Sequence, residues 1–168
     1  LYPAYFEALE KLGETIREAE KSAAVTHNHP EGRKGAKVVA AAIFLARNGH
    51  DKKEIKKFIE KSYSYNLSRT LAEIKPFYSF NETCQKTVPE ALICFLESVD
   101  FEDAIRKAIW LGGDSDTLAC ITGGIAEAYY REMPGEWIEK SINLLDDKLK
   151  GTLGIFQGKF MGKNGAAS

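Results

Sequence analysis

The segment Gly112-Gly113-Asp114-Ser115-Asp116-Thr117-Leu118-Ala119 puts two carboxylates and a hydroxyl within four residues, after a glycine pair and before a helical pattern. Asp and Thr offer hard oxygen ligands of the kind that Mg²⁺ and Ca²⁺ take. The same residue types also cap helices, because Asp and Ser meet the unpaired N–H groups and positive dipole of a first turn. Capping accounts for one acidic residue. It gives no reason for two of them between a glycine pair and a helix that contains Ala119, Gly123, Gly124 and Ala126. Those small residues let another backbone come close, and each Gly costs the helix about 1 kcal/mol relative to Ala. On pattern alone, a metal site and a plain cap both stand.

Three other chemistries fail on spacing. An EF-hand loop starting at Asp114 needs Gly at its sixth position and Glu at its twelfth; those positions hold Ala119 and Ile125. A phosphatase-type DxDxT site follows an apolar strand, whereas here a glycine pair precedes and Thr117 comes one place early. A phosphate-binding loop needs Gly-Lys-Ser/Thr, and no such triplet occurs.

A second polar segment, Thr26-His27-Asn28-His29-Pro30-Glu31-Gly32, holds two of the three histidines. Histidines two residues apart, with no nearby Cys or third His, make a poor zinc pattern. A helix start bordered by His, Asn and Thr suits phosphate or hydroxyl groups. A polar loop that only caps its helix is the alternative.

The elements that must position these segments are helical. Tyr5 to Ala24 places Tyr5, Phe6, Leu9, Leu12, Ile16 and Ala19 at nearly the helical period. Lys34 to Asn48 is Ala-rich and apolar on most sides, which predicts a buried helix ended by Gly49. Asp51 caps an amphipathic helix with Ile55, Phe58 and Ile59 inward and Lys52, Lys53, Lys56, Lys57 and Lys61 outward. That lysine set is read as a solvated face rather than a basic patch, since Asp51, Glu54 and Glu60 interleave it. Further helices are predicted over Ser68–Ile74, Val88–Glu97, Phe101–Leu111, Ser115–Arg131 and Glu136–Leu149, with Phe77 to Thr87 a loop between the first two. Gly151 to Ser168 reads as a tail beyond a domain at 1–150. With no run of period-two alternation, the expected fold class is all-α.

At 168 residues the chain is the size of one domain. A net charge of −1, from 23 Lys+Arg and 24 Asp+Glu, argues against nucleic acid as a partner. The longest apolar run, Val38 to Ala46, is about half of a membrane span, so no membrane partner is expected. Cys84, Cys94 and Cys120 are an odd set without a CxxC pair. They read as free thiols in a reducing, cytoplasmic setting.

Taken together, THNHPEG before an Ala-rich helix, then TCQKTVPEALICFLE, then FEDAIRKAIWLGGDSDTLACITGGIAEAYY resemble the ADP-ribosylglycohydrolase family from about Leu9 to Leu149. The resemblance implies a compact, all-α, multi-helix orthogonal bundle holding two divalent cations, Mg²⁺ or Mn²⁺. It implies hydrolysis of the glycosidic bond at C1 of ADP-ribose attached to a protein or small molecule. Carried over, Asp114, Asp116 and Thr117 match metal ligands, with Asp114 and Asp116 catalytic. His27, Gly113 and Ser115 match substrate-contacting positions, and Gln85 to Val88 a segment lining the cleft. The family's GDALG-like segment and Ser/Thr-Asp-Asp-Thr motif have no counterpart, the only Asp-Asp pair being Asp146-Asp147, read as a solvated face. The expectation is a C-terminal portion with half of the metal ligands, which associates with an N-terminal segment or with itself.

Overall fold

The structure, a computed structural model, describes the backbone of residues 2–26 and 28–160, with side chains described for 9–26 and 28–159. Among the described residues the only regular elements are helices. They are α1 (Tyr2–Thr26), α2 (Pro30–Arg47), α3 (Lys52–Tyr63), α4 (Leu71–Ile74, continued by a 3₁₀ turn over Lys75–Phe77), α5 (Cys84–Glu97), α6 (Phe101–Leu111), α7 (Ser115–Tyr130), α8 (Gly135–Leu144) and α9 (Asp147–Phe160). Residues 1–132 and 133–168 form two compact units.

In the first unit α2 packs against α1, α3, α5 and α7, which is why its sequence is apolar on nearly every side. Val38, Ala41, Ala42, Leu45 and Ala46 are buried along it. The most enclosed helix is α5, where every residue from Thr87 to Phe95 is buried. Three helices run parallel. Thr122, eight residues into α7, donates its hydroxyl to the carbonyl of Ala91, eight residues into α5, at 3.0 Å. Gly35 near the start of α2 touches Cys84 at the start of α5. At the opposite ends Arg131 Nη2 donates to the Arg47 carbonyl at 2.9 Å. The N-termini of α2, α5 and α7 therefore share one end of the unit.

The expected caps form. Asp51 accepts from Glu54 N while Glu54 accepts from Asp51 N, and Asp100 accepts from Asp103 N at 2.7 Å. Glu60 accepts from Leu67 N at 3.1 Å and from the Ser68 hydroxyl at 3.2 Å. Several boundaries differ from the sequence reading: α2 starts at Pro30 and α4 at Leu71, and the helix expected over Glu136–Leu149 breaks after Leu144. Helix α5 starts at Cys84, so Pro89 lies inside it rather than in its first turn, and the Gln85 carbonyl has no donor four residues on. In the second unit, α9 occupies Asp147–Phe160, so helix runs over 151–160 where a tail was expected. Asp146 caps it by accepting from Leu149 N at 2.8 Å, and Asp146 and Asp147 are both exposed.

At the C-terminal end of α5, Lys52 Nζ donates to Ser98 O (2.5 Å), Leu96 O (3.3 Å) and Tyr130 Oη (2.8 Å). It also lies over the rings of Phe95, Tyr129 and Tyr130. A cation there meets the carbonyls and negative dipole of a helix end. Burial lowers its pKa to about 8, a shift partly opposed by Asp103 and reinforced by Lys107.

Candidate active site

The turn into α7 is built on two glycines at positive φ, Gly112 at 81° and Gly113 at 67°. Side chains at these angles would be strained. At Gly113 there is also no room: a Cβ would lie 2.8 Å from Tyr78 Cε1 and 3.1 Å from the Ser79 carbonyl. Lys75 holds the turn from below, donating to the carbonyls of Trp110 (2.6 Å) and Leu111 (3.2 Å) at the end of α6.

Beyond the turn, Asp114 is the N-cap of α7 and Ser115, Asp116 and Thr117 form its first turn. Asp114 and Ser115 are half-buried, while Asp116 and Thr117 are exposed. Asp114 makes no capping hydrogen bond with its side chain. Its proximity is the first cause holding the Asp116 carboxyl below the usual carboxylate range; the backbone N–H groups of Thr117 and of Asp116 itself follow. Plain capping thus describes part of what Asp116 does and none of what the Asp114 side chain does. Two neighbouring carboxylates repel each other unless a positive charge lies between them. With the Thr117 hydroxyl beside them, the donor chemistry is that of hard-cation ligands. Among the described residues, no group of three or more His, Cys, Asp or Glu gathers around a metal position.

The loop before α5 brings the rest. Tyr78, packed on Gly113, donates its hydroxyl toward the Lys86 carbonyl at 3.4 Å. Burial and then the charge of Glu90 push that hydroxyl up to about 12. Asn81 Oδ1 accepts from Thr83 N (2.9 Å), and the Asn81 carbonyl accepts from the Thr87 hydroxyl (3.1 Å). Gln85 to Val88 lies in the first turns of α5, not in a loop: Gln85 and Lys86 are exposed, whereas Thr87 and Val88 are buried. Neither Thr83 nor Asp114 caps its helix with its side chain; the N-terminal dipoles of α5 and α7 face the same end, with Asp116 against the first N–H groups of α7.

The His27 position lies outside the described residues. Its neighbour His29 caps α2, accepting from Glu31 N on Nδ1 at 3.3 Å, ahead of Pro30. Asp114, Ser115, Asp116, Thr117 and Gly113 are brought together as one turn. What the sequence reading missed is Tyr78, which closes on that turn, and Glu90 beneath it. Glu90 is buried with a side-chain exposure of 6% and pairs with Arg69 Nη2 at 2.9 Å. Burial raises its pKa, against the pull of Arg69. Its one signal was an acidic residue in the middle of an otherwise apolar helix.

Comparison with known proteins identifies the family. The model of the family "ADP-ribosylglycohydrolase" matches residues 2–157. The chain is 30% identical over 130 residues to the ADP-ribosylarginine hydrolase Tri1 of Pseudomonas putida (strain GB-1), a match covering 73% of this chain and 35% of that protein. It is 27% identical over 166 residues to the human ADP-ribosylhydrolase ARH3, covering 71% of this chain and 45% of that one. A solved structure described as an ADP-ribosylglycohydrolase-related protein complex superposes with a TM-score of 0.60 at 27% identity, covering 74% of this chain and 46% of that one. The chain spans less than half the length of these relatives. By its matched residues and its helical fold, the chain belongs to the ADP-ribosylglycohydrolase family.

Proposed function

We propose that this chain is part of a hydrolase that cleaves the glycosidic bond between ADP-ribose and a protein or small-molecule acceptor. Its contribution is a divalent-cation half-site of Asp114, Asp116 and Thr117. The observation that carries the reading is that Asp114 and Asp116 stand together in one turn, with the Asp114 side chain making no cap hydrogen bond. When bound, Mg²⁺ or Mn²⁺ there supplies charge stabilisation at the anomeric carbon and orients ribose hydroxyls and water. Asp116, ionised well below neutral pH, is the constant negative partner, and Asp114 is positioned to accept from a substrate hydroxyl or water. Gly113 offers a face without a side chain, together with Ser115, for the ribose to approach. The N-terminus of α5, without a side-chain cap, suits the pyrophosphate, and His27 is assigned to the same ligand.

Hydrolysis here adds water oxygen to C1, breaks the bond from C1 to the acceptor and returns one proton to the leaving group. A second reading, an ADP-ribose-binding module without catalysis, is favoured by the absence of a third acidic ligand among the described residues. Paramagnetic broadening by Mn²⁺ tests the half-site. The amides of 113–118 should broaden selectively and recover in the Asp114→Ala/Asp116→Ala variant. Unselective broadening, or none, would remove the metal assignment.

A further inference from the structure

A cavity of about 290 Å³ lies at the C-terminal end of α5, between α3 and the loop before α4. This is the end of α5 opposite the half-site. Its floor is apolar, formed by Leu67, Ile93 and Leu96. Its walls carry Lys52, Lys53, Lys56 and Arg69 against one carboxylate, Glu97. Two of the four cations are engaged: Arg69 pairs with Glu90, and Lys52 donates to Ser98, Leu96 and Tyr130. Lys53 and Lys56 make no hydrogen bond or ion pair with any described residue. Lys53 is exposed, whereas Lys56 is half-buried.

The acids that alternate with these lysines in the sequence are bound elsewhere. Asp51 and Glu54 close on each other's N–H groups. Glu60 accepts from Leu67 N and the Ser68 hydroxyl, and Glu97 Oε1 accepts from Leu71 N at 2.9 Å. Two unpaired ammonium groups are therefore left beside an apolar floor. A half-buried charge without a counter-ion bears part of its desolvation cost, which an anion beside it offsets. Two point charges match a phosphate monoester, whose charge is about −1.5 to −2 at pH 7. Lysine binds phosphate in this way, as a compact charge, whereas a carboxylate is better met by the fork of an arginine. The volume sits at the small end of ligand pockets, about 300–1,000 Å³, and suits one ring or a short chain on the phosphate.

We infer that the cavity between α3 and the C-terminal end of α5 binds a small organic phosphate monoester, with Lys53 and Lys56 on the phosphate and the apolar body on Leu67, Ile93 and Leu96. This site shares no residue with the Asp114–Thr117 half-site and goes beyond the hydrolase reading.

The test is a metal-free NMR titration of the chain with three probes. Phenyl phosphate has both the charge and the ring, phenyl sulfate keeps the ring but carries a single charge, and inorganic phosphate lacks the ring. Saturable shifts at the amides of Lys53, Lys56, Leu67 and Leu96 are expected with phenyl phosphate. The other two should each bind about tenfold more weakly or worse, one for its missing charge and the other for its missing apolar contact. Lys53→Met/Lys56→Met should weaken phenyl phosphate about tenfold or more. Lys57→Met/Lys61→Met removes the same charge from residues that line a different hollow, and should weaken it less than about threefold. Lys53→Met alone, at an exposed position that does not endanger folding, should weaken it about threefold or more. No saturable shift, binding of either other probe as tight as that of phenyl phosphate, or equal losses in the two double variants would overturn the inference. Because no metal or ADP-ribose enters the titration, its outcome is separate from that of the half-site.

Discussion

The ring of Tyr78 occupies the space that a side chain on Gly113 would need, with Cε1 only 2.8 Å from the position of a Cβ. This contact ties the loop before α5 to the turn that carries Asp114. It also makes the glycine a steric requirement as well as a conformational one, at φ 67°.

Gly113→Ala should therefore destabilise the chain by about 1–3 kcal/mol, through positive φ and displacement of Tyr78. Gly135→Ala is the control, because a Cβ there meets nothing within 4 Å. Thermal melts of the two variants compare them directly. A loss at Gly113 no larger than at Gly135 would contradict the packing account.

The Asp114–Asp116 pair predicts a titration. Asp116 is held low first by Asp114, so Asp114→Ala should return the Asp116 pKa upward toward the ordinary carboxylate range. Carboxyl ¹³C shifts followed against pH read it. An unmoved Asp116 would mean that the backbone N–H groups alone hold it.

Arg69→Met leaves Glu90 buried without its cation. The Arg69 side chain is 39% exposed, so the cost should be about 1–3 kcal/mol at pH 7 rather than that of a fully buried pair. Glu90 already has a raised pKa, and a group raised in the folded state adds stability at low pH that is lost as pH rises through its folded pKa. The penalty of Arg69→Met should accordingly shrink from pH 7 to pH 5 in urea titrations. A penalty independent of pH would show that Glu90 is not the group left exposed to the change.

Lys52 runs the other way from an ordinary lysine. Its folded pKa, about 8, lies below the unfolded value of 10.5. Between those values the unfolded chain binds more protons, so stability rises with pH across that window. Tyr63, Tyr65, Tyr78 and Tyr130, raised above 10.0 mainly by burial, oppose it from about pH 10 upward, because the unfolded chain then releases their protons first. Urea midpoints should climb from pH 8 to pH 10 and then fall, and Lys52→Met should flatten the climb.

Much of the fold was legible because its signals are local. Asp51 and Asp100 announce their caps within three residues of the N–H groups they accept from, and Ala-rich α2 announces its burial. Signals that depend on distant partners were not legible. Pro89 looks like a first-turn proline until Thr83 is seen to accept from Lys86 N and Thr87 N. The glycines at 151, 154 and 158 look like a tail, yet side chains there would meet nothing, and the Asp146 cap permits a helix. In the site, the GGDSDT turn stood out by composition. Glu90 did not, because its partner Arg69 lies 21 positions away, and neither did Tyr78, whose importance is a contact with a missing side chain.

The central claim is that the turn before α7 forms one half of a cation-dependent ADP-ribose site. The most direct measurement is calorimetric titration of ADP-ribose into the chain with and without millimolar Mg²⁺, repeated on the Asp114→Ala/Asp116→Ala variant. Binding should strengthen with Mg²⁺ and lose that dependence in the variant. Binding equally strong with and without the ion, or unchanged by the double substitution, would contradict it.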